Sequence, residues 1–331
     1  MKIEMMKCLS NKISDINLLK KLIENLCDKS PEEVTKIVNE LKKYNYNFYV
    51  CEIATNPDVL DKRTTEEQIQ LMSALKECDY AEDAYSIAIN PDVLDKRTIE
   101  EQIQLMGALK ECNYNEYAYN IAIDSKVLDK RTIEEQIQLM KALKECNYNE
   151  YAYNIAINPD VLDKRTIEEQ IQLMKALKKC EYNFFACNIA VDSDLLELKS
   201  VEEQIALMKE LKECDYNMSA CVIAINLIVL NERTTEEQIQ LMKALKECDY
   251  NKYAYNIAIN PDVLDKRTIE EQIQLMKKSL SKKVCHFDNI ENILTISEIK
   301  EYIEKLEEEL GKDEDIKLYT KVSKYNKKKK N

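Results

Sequence analysis

Residues 131–164 read RTIEEQIQLMKALKECNYNEYAYNIAINPDVLDK, and the same stretch returns at 233–266 with three differences. The spacing is a strict 34 residues. Arg63, Arg97, Arg131, Arg165, Arg233 and Arg267 mark the register, with Lys29 and Lys199 standing in two further copies, and no insertion or deletion intervenes. A period of this length means supersecondary units stacked on one another rather than one globular core.

One copy is legible as structure. Thr132 and Glu135 have the spacing of a capping box. Ile133, Ile137, Met140 and Leu143 follow at helical intervals, flanked by Leu139, Ala142 and Cys146, while Glu134, Gln138, Lys141 and Glu145 form a polar stripe. This predicts a first helix of about 13 residues. Asn149 is the expected N-cap of a second helix, with Tyr148 and Tyr153 spaced as a hydrophobic staple and Ala152, Ile155 and Ala156 on its buried face. Asn158-Pro159-Asp160 is a third start signal, and the remaining Val161-Leu162 suits one short turn. No such unit buries its apolar face alone, so neighbours must cover it. The expected fold is all-α, an α-solenoid of tandem helix-turn-helix repeats with terminal capping helices.

The chain organises around that array. Residues 1–28 read as an N-terminal cap with Ile13, Ile16, Leu19, Leu22 and Ile23 on one helix face. The array spans 29–278, as seven full copies and the first helix of an eighth. The 199–232 copy diverges most, with Asn226-Leu227-Ile228 replacing Asn-Pro-Asp, and is a place for the solenoid to bend. Residues 279–311 read as a C-terminal cap, a helix from Ser297 to a stop at Gly311. Residues 312–331 form a charged tail, ending in Lys327-Lys328-Lys329-Lys330, that is expected to be disordered.

Composition removes several function classes. Only two glycines occur, Gly107 and Gly311, so there is no Gly-rich phosphate cradle. A formal net charge of −13 opposes binding to a phosphate backbone. No apolar run matches a signal peptide or membrane span, and 12 cysteines without an export signal suit a reducing cytoplasm. The cysteines at one repeat position (Cys78, Cys112, Cys146, Cys180, Cys214, Cys248) should sit about 8–10 Å apart on stacked helices, too far to bridge. Cys180, Cys187, Cys214 and Cys221 lack the spacing of a zinc site. The single histidine, His286, adjoins Cys285, a poor geometry for a nucleophile and its base. No active site, metal or cofactor is expected.

What remains is surface. The side of the second helix opposite Ala152 and Ile155 carries Asn147, Glu150, Tyr151 and Asn154. Across copies it lines up Tyr49, Tyr117, Tyr151, Phe185 and Tyr253 beside Asn120, Asn154, Asn188 and Asn256. Second helices usually line the concave face of an α-solenoid, and tyrosines with amides suit an extended peptide. Packing of the tyrosines between repeats is the open alternative. The position after the cap varies (Phe48, Glu82, Glu116, Glu150, Phe184, Met218, Lys252) while core positions barely change. Glu116, Glu150 and Lys252 therefore join the candidate groove.

The 34-residue helix-turn-helix unit resembles tetratricopeptide repeats, without their Trp-Leu-Gly-type signature, since the chain has no Trp. The run at 155–162 is similar to the unit junctions of HEAT-like and leucine-rich-variant helical repeats. The resemblance covers residues 29–278 at the level of architecture, and it transfers no site. It implies a non-enzymatic scaffold for a protein or peptide. A modular nucleic-acid reader, a self-assembling array and an enzyme seated in 279–331 are the alternatives.

Overall fold

A computed structural model describes residues 9–27 and 29–279, and two short strands, Val284–Cys285 and Leu294–Thr295, that pair antiparallel. Each copy from 29 to 266 carries three helices. In the 131–164 copy they are Ile133–Glu145, Glu150–Ile157 and Pro159–Lys164. The expected final turn is thus a six-residue helix. Asn158 accepts from the Val161 amide at 3.1 Å and Pro159 presets the first φ, so the start signal is strong enough to hold nearly two turns.

The other ends follow the same local logic. The Thr132 hydroxyl accepts from the Glu135 amide at 3.3 Å, and the Glu135 carboxylate accepts from the Thr132 amide at 2.8 Å. The first helix closes in a Schellman motif: the Asn147 amide donates to Lys144 and the Tyr148 amide to Leu143, both at 2.9 Å. Asn147 and Tyr148 both take positive φ, 54° and 53°, and the equivalent pair does so in all seven copies. Asn or Asp fills the first of these left-handed places where glycine is usual, with Glu181 the exception. The Asn149 carboxamide then caps the second helix, accepting from Tyr151 at 2.9 Å.

The chain divides into two compact units, 1–208 and 209–331. Within the first unit, the helices stack in three columns, first on first, second on second and third on third, in solenoid-like order. Each first helix also packs on the second helix of the preceding copy, as Ile133–Glu145 does on Glu116–Ile123. The second unit repeats the pattern, with Thr235–Glu247 against Ile269–Lys278 and Leu227–Glu232 against Pro261–Lys266. Leu139, Met140, Leu143, Ala152, Ile155, Ala156 and Val161 are buried completely. The alanines let the columns approach closely.

Two expectations are corrected. In the N-terminal helix Ile16–Cys27, Leu18, Leu22 and Leu26 are buried, while Ile16 is 79% exposed. Asp15 caps that helix, accepting from the Asn17 and Leu18 amides, so Ile13 precedes it and the buried face is set by the i, i+4 leucines. In the repeat, Ile137 is only partly covered, and the completely buried neighbour is Gln136.

That glutamine belongs to a polar stitch between copies. Arg131 is 8% exposed and sends Nη2 to the Arg165 carbonyl at 2.8 Å and to Gln170 Oε1 at 3.2 Å. Its Nη1 donates to the Leu162 carbonyl at 3.2 Å. Gln170 in turn donates to the Ile155 and Ala156 carbonyls, at 2.9 and 3.0 Å. The guanidinium thus faces carbonyls at helix C-terminal ends, which carry partial negative charge. Burial still pushes its pKa down. The same link joins Arg63 to Gln102, Arg97 to Gln136, Arg165 to Gln204 and Arg233 to Gln272.

The Lys29 copy shows what the arginine supplies. Lys29 donates to the Thr65 hydroxyl instead, and Gln68 Oε1 is left buried without a partner. Surface charge adds columns of ion pairs between copies, such as Lys96–Asp129, Lys130–Asp163, Lys141–Glu111 and Lys175–Glu145. The helix expected from Ser297 to Gly311 and the tail at 312–331 lie outside the described residues, as does the side chain of His286.

Candidate functional site

The second helix is only eight residues long, and its buried side is spent on Ala152, Ile155 and Ala156. What it offers outward comes from its first, second, fourth, fifth and eighth positions. In the 131–164 copy these are Glu150, Tyr151, Tyr153, Asn154 and Ile157.

The predicted aromatic ladder does not behave as one surface. Tyr117 lies against Tyr153 of the next copy, ring centres 4.8 Å apart, and Tyr49 lies against Tyr85 in the same geometry. Burial raises the Tyr153 and Tyr85 hydroxyl pKa values, and a hydrogen bond with Asn120 partly offsets this at Tyr153. These pairs close the junction between copies. Tyr151 instead meets Phe184, centroids 6.1 Å apart and edge-to-face, and Phe185 lies 5.6 Å from Phe184. Tyr253 is 46% exposed. Among the amides, Asn154 is exposed and Asn120, Asn188 and Asn256 are half-buried; Glu116, Glu150 and Lys252 are exposed.

Three predicted residues do converge. Tyr151, Asn154 and Asn188 line a cleft of about 350 Å³ between Glu150–Ile157 and Phe184–Val191. Phe184 and Cys187 complete its apolar wall, and Lys126 reaches it from the third helix of the preceding copy. Lys126 and Cys187 were not legible as site residues from residue type alone. The signal that finds them is departure from the other copies. Lys126 stands where five copies have Asp, and Cys187 where four have Tyr.

The Cys187 thiol is buried and pushed up to about 11, purely by desolvation, so its thiolate is scarce at neutral pH. Burial, aided by Glu52 at one and Glu210 at the other, pushes Cys51 and Cys214 up to about 12 and about 11. Cys78, Cys112, Cys146 and Cys248 are buried and in no disulfide. Among the described residues no group of three or more potential ligands is placed to hold a metal ion. None of the described helices is long and apolar enough to cross a membrane.

The chain matches no protein-family model and no curated protein sequence.

Proposed function

We propose that this helical-repeat protein is a non-enzymatic, cytoplasmic scaffold that binds a protein or peptide along its second helices. One observation carries the reading. Of the eight large apolar side chains left exposed among the described residues, four sit on second helices: Phe48 at 51%, Phe184 at 53%, Met218 at 66% and Tyr253 at 46%. Three of those four occupy the single position after the N-cap, which varies between copies while the core beneath it is constant. Exposed aromatics and methionine on repeated helices are the residue types that anchor partners. Many of the lysines and acids are engaged in ion pairs between copies, which leaves shape and apolar contact to supply recognition.

The test is affinity capture from nuclease-treated lysate of the source cells, with identification by mass spectrometry. Wild type is compared with the triple variant Phe48→Glu, Phe184→Glu and Met218→Glu, checked by circular dichroism to be folded. Proteins retained reproducibly by wild type and lost from the variant support the scaffold. Equal retention by both sinks it. Capture that disappears on nuclease treatment alone points to a nucleic-acid reader instead.

A further inference from the structure

Two positions of the second helix change together. Where its fourth residue is Tyr, the first is charged: Glu82 with Tyr85, Glu116 with Tyr119, Glu150 with Tyr153, Lys252 with Tyr255. Where the fourth is Cys, the first is apolar: Phe48 with Cys51, Phe184 with Cys187, Met218 with Cys221. These residues are three apart and share a helix face. The structure supplies a reason at Phe184 and Cys187. Tyr153 covers the ring of Tyr117 and closes that junction. Cys187, at the equivalent place, has no ring with which to cover Tyr151. Its thiol sits 3.7 Å from the Tyr151 carbonyl, and the space left by the missing ring opens as the cleft. Phe184 lines one side of it and stays 53% exposed, a cost in water that core packing does not require.

The rim is as particular as the wall. The second residue of the third helix is Asp58, Asp92, Asp160, Asp194 or Asp262 in five copies, but Lys126 at this cleft. Aspartate is the residue favoured at a helix start, so lysine there runs against local stability. Lys96 and Lys130, on either side, are paired with Asp129 and Asp163. Among the described residues Lys126 has no ion pair. The cleft therefore joins an apolar pocket, two amides and one cation on a chain that is otherwise strongly acidic.

Resting on the peptide-binding reading above, we propose that this cleft is an anchor site for an extended peptide with a large apolar side chain and a carboxylate one or two residues away. The apolar side chain enters between Tyr151 and Phe184, over Cys187. Asn154 and Asn188 hydrogen-bond the peptide backbone, and Lys126 meets the carboxylate. A cleft of about 350 Å³ is at the small end of the range of ligand pockets, roughly 300–1,000 Å³, and accommodates one side chain with its local backbone.

The experiment is a selection of random twelve-residue peptides displayed on phage against the full chain, followed by affinity measurements on synthetic copies of the winners. The discriminating variant is Phe184→Glu with Cys187→Tyr, which rewrites this copy to the pattern of its sister copies and so retains a sequence known to fit the frame. Expected winners carry an aromatic, Leu or Met residue within two positions of Asp or Glu. They lose about tenfold to a hundredfold in affinity on the double variant, the worth of one buried anchor side chain. Changing the peptide's Asp to Asn costs up to about fivefold on wild type and nothing on Lys126→Asp, as for an exposed ion pair. Winners that bind the double variant as tightly as wild type overturn the anchor site but leave peptide binding elsewhere intact. A wild-type chain that enriches no peptide overturns both. A random single-stranded oligonucleotide bound with the same sensitivity to the double variant would assign the cleft to nucleic acid and overturn the peptide.

Discussion

Replacing Arg131 tests what joins one copy to the next. Its guanidinium supplies a buried donor to three acceptors at the junction: the Leu162 carbonyl of its own copy at 3.2 Å, and the Arg165 carbonyl at 2.8 Å and Gln170 Oε1 at 3.2 Å in the following copy. In Arg131→Ala all three lose that donor at once. A buried acceptor left unsatisfied costs about 1–3 kcal/mol, and water entering the vacated space brings each toward the lower figure. The expected loss is therefore about 3–5 kcal/mol, well above that of a typical substitution. Arg131→Lys should cost less, about 1–3 kcal/mol. Its charge and one or two donors survive, but the fork that reaches Gln170 does not, as Lys29 illustrates beside the orphaned Gln68 oxygen. Equilibrium urea unfolding followed by far-UV circular dichroism reads the difference, provided the slope m is unchanged. A cycle with Gln170→Ala should show coupling of about 0.5–3 kcal/mol. A loss below about 1 kcal/mol in Arg131→Ala, or additivity in the cycle, would refute the stitch as an energetic link and leave it as geometry only.

Other expectations concern side chains that the columns bury. Cys51, Cys187 and Cys214 should resist a water-soluble thiol reagent in the native chain at neutral pH and react on unfolding; Cys27, which is exposed, should be labelled before these three, and peptide mapping distinguishes them. Tyr114, Tyr148 and Tyr250 have hydroxyls raised to about 12 by burial, against an ordinary value near 10. Because the folded state holds the proton longer, their stabilising effect is complete below about pH 10 and is lost as pH rises from about 10 through about 12. Ionisation of these three hydroxyls, followed residue by residue by NMR, should therefore coincide with loss of helix, and their ionisation with helix retained would contradict it. Tyr148→Phe removes the 2.7 Å bond from its hydroxyl to the Cys112 carbonyl and should cost about 1 kcal/mol by urea unfolding.

Whatever depends on neighbours within a few residues is legible in the chain itself. The caps at Thr132, Asn149 and Asn158 are such features, because a side chain and the amide it serves lie two or three positions apart. So are the alternation of the two helix faces and the burial of Ala152, Ile155 and Leu143. The third helix reads only as a turn in the sequence, because six residues carry too little periodicity to distinguish the two. Tertiary structure decided matters whose partners lie a whole copy away. The partners of buried Gln136 lie far off in the chain: Arg97, 39 residues earlier, donates to its oxygen, and its amide donates to the Ile121 and Ala122 carbonyls of the preceding second helix. Tyr117 and Tyr151 are the same residue at the same register, yet one is capped by a ring and the other faces a cleft. The difference is set 36 residues downstream, by Tyr153 in one case and Cys187 in the other. Local propensity has no access to that distance. Only stacking brings those residues together, and with them a place where the repeat opens.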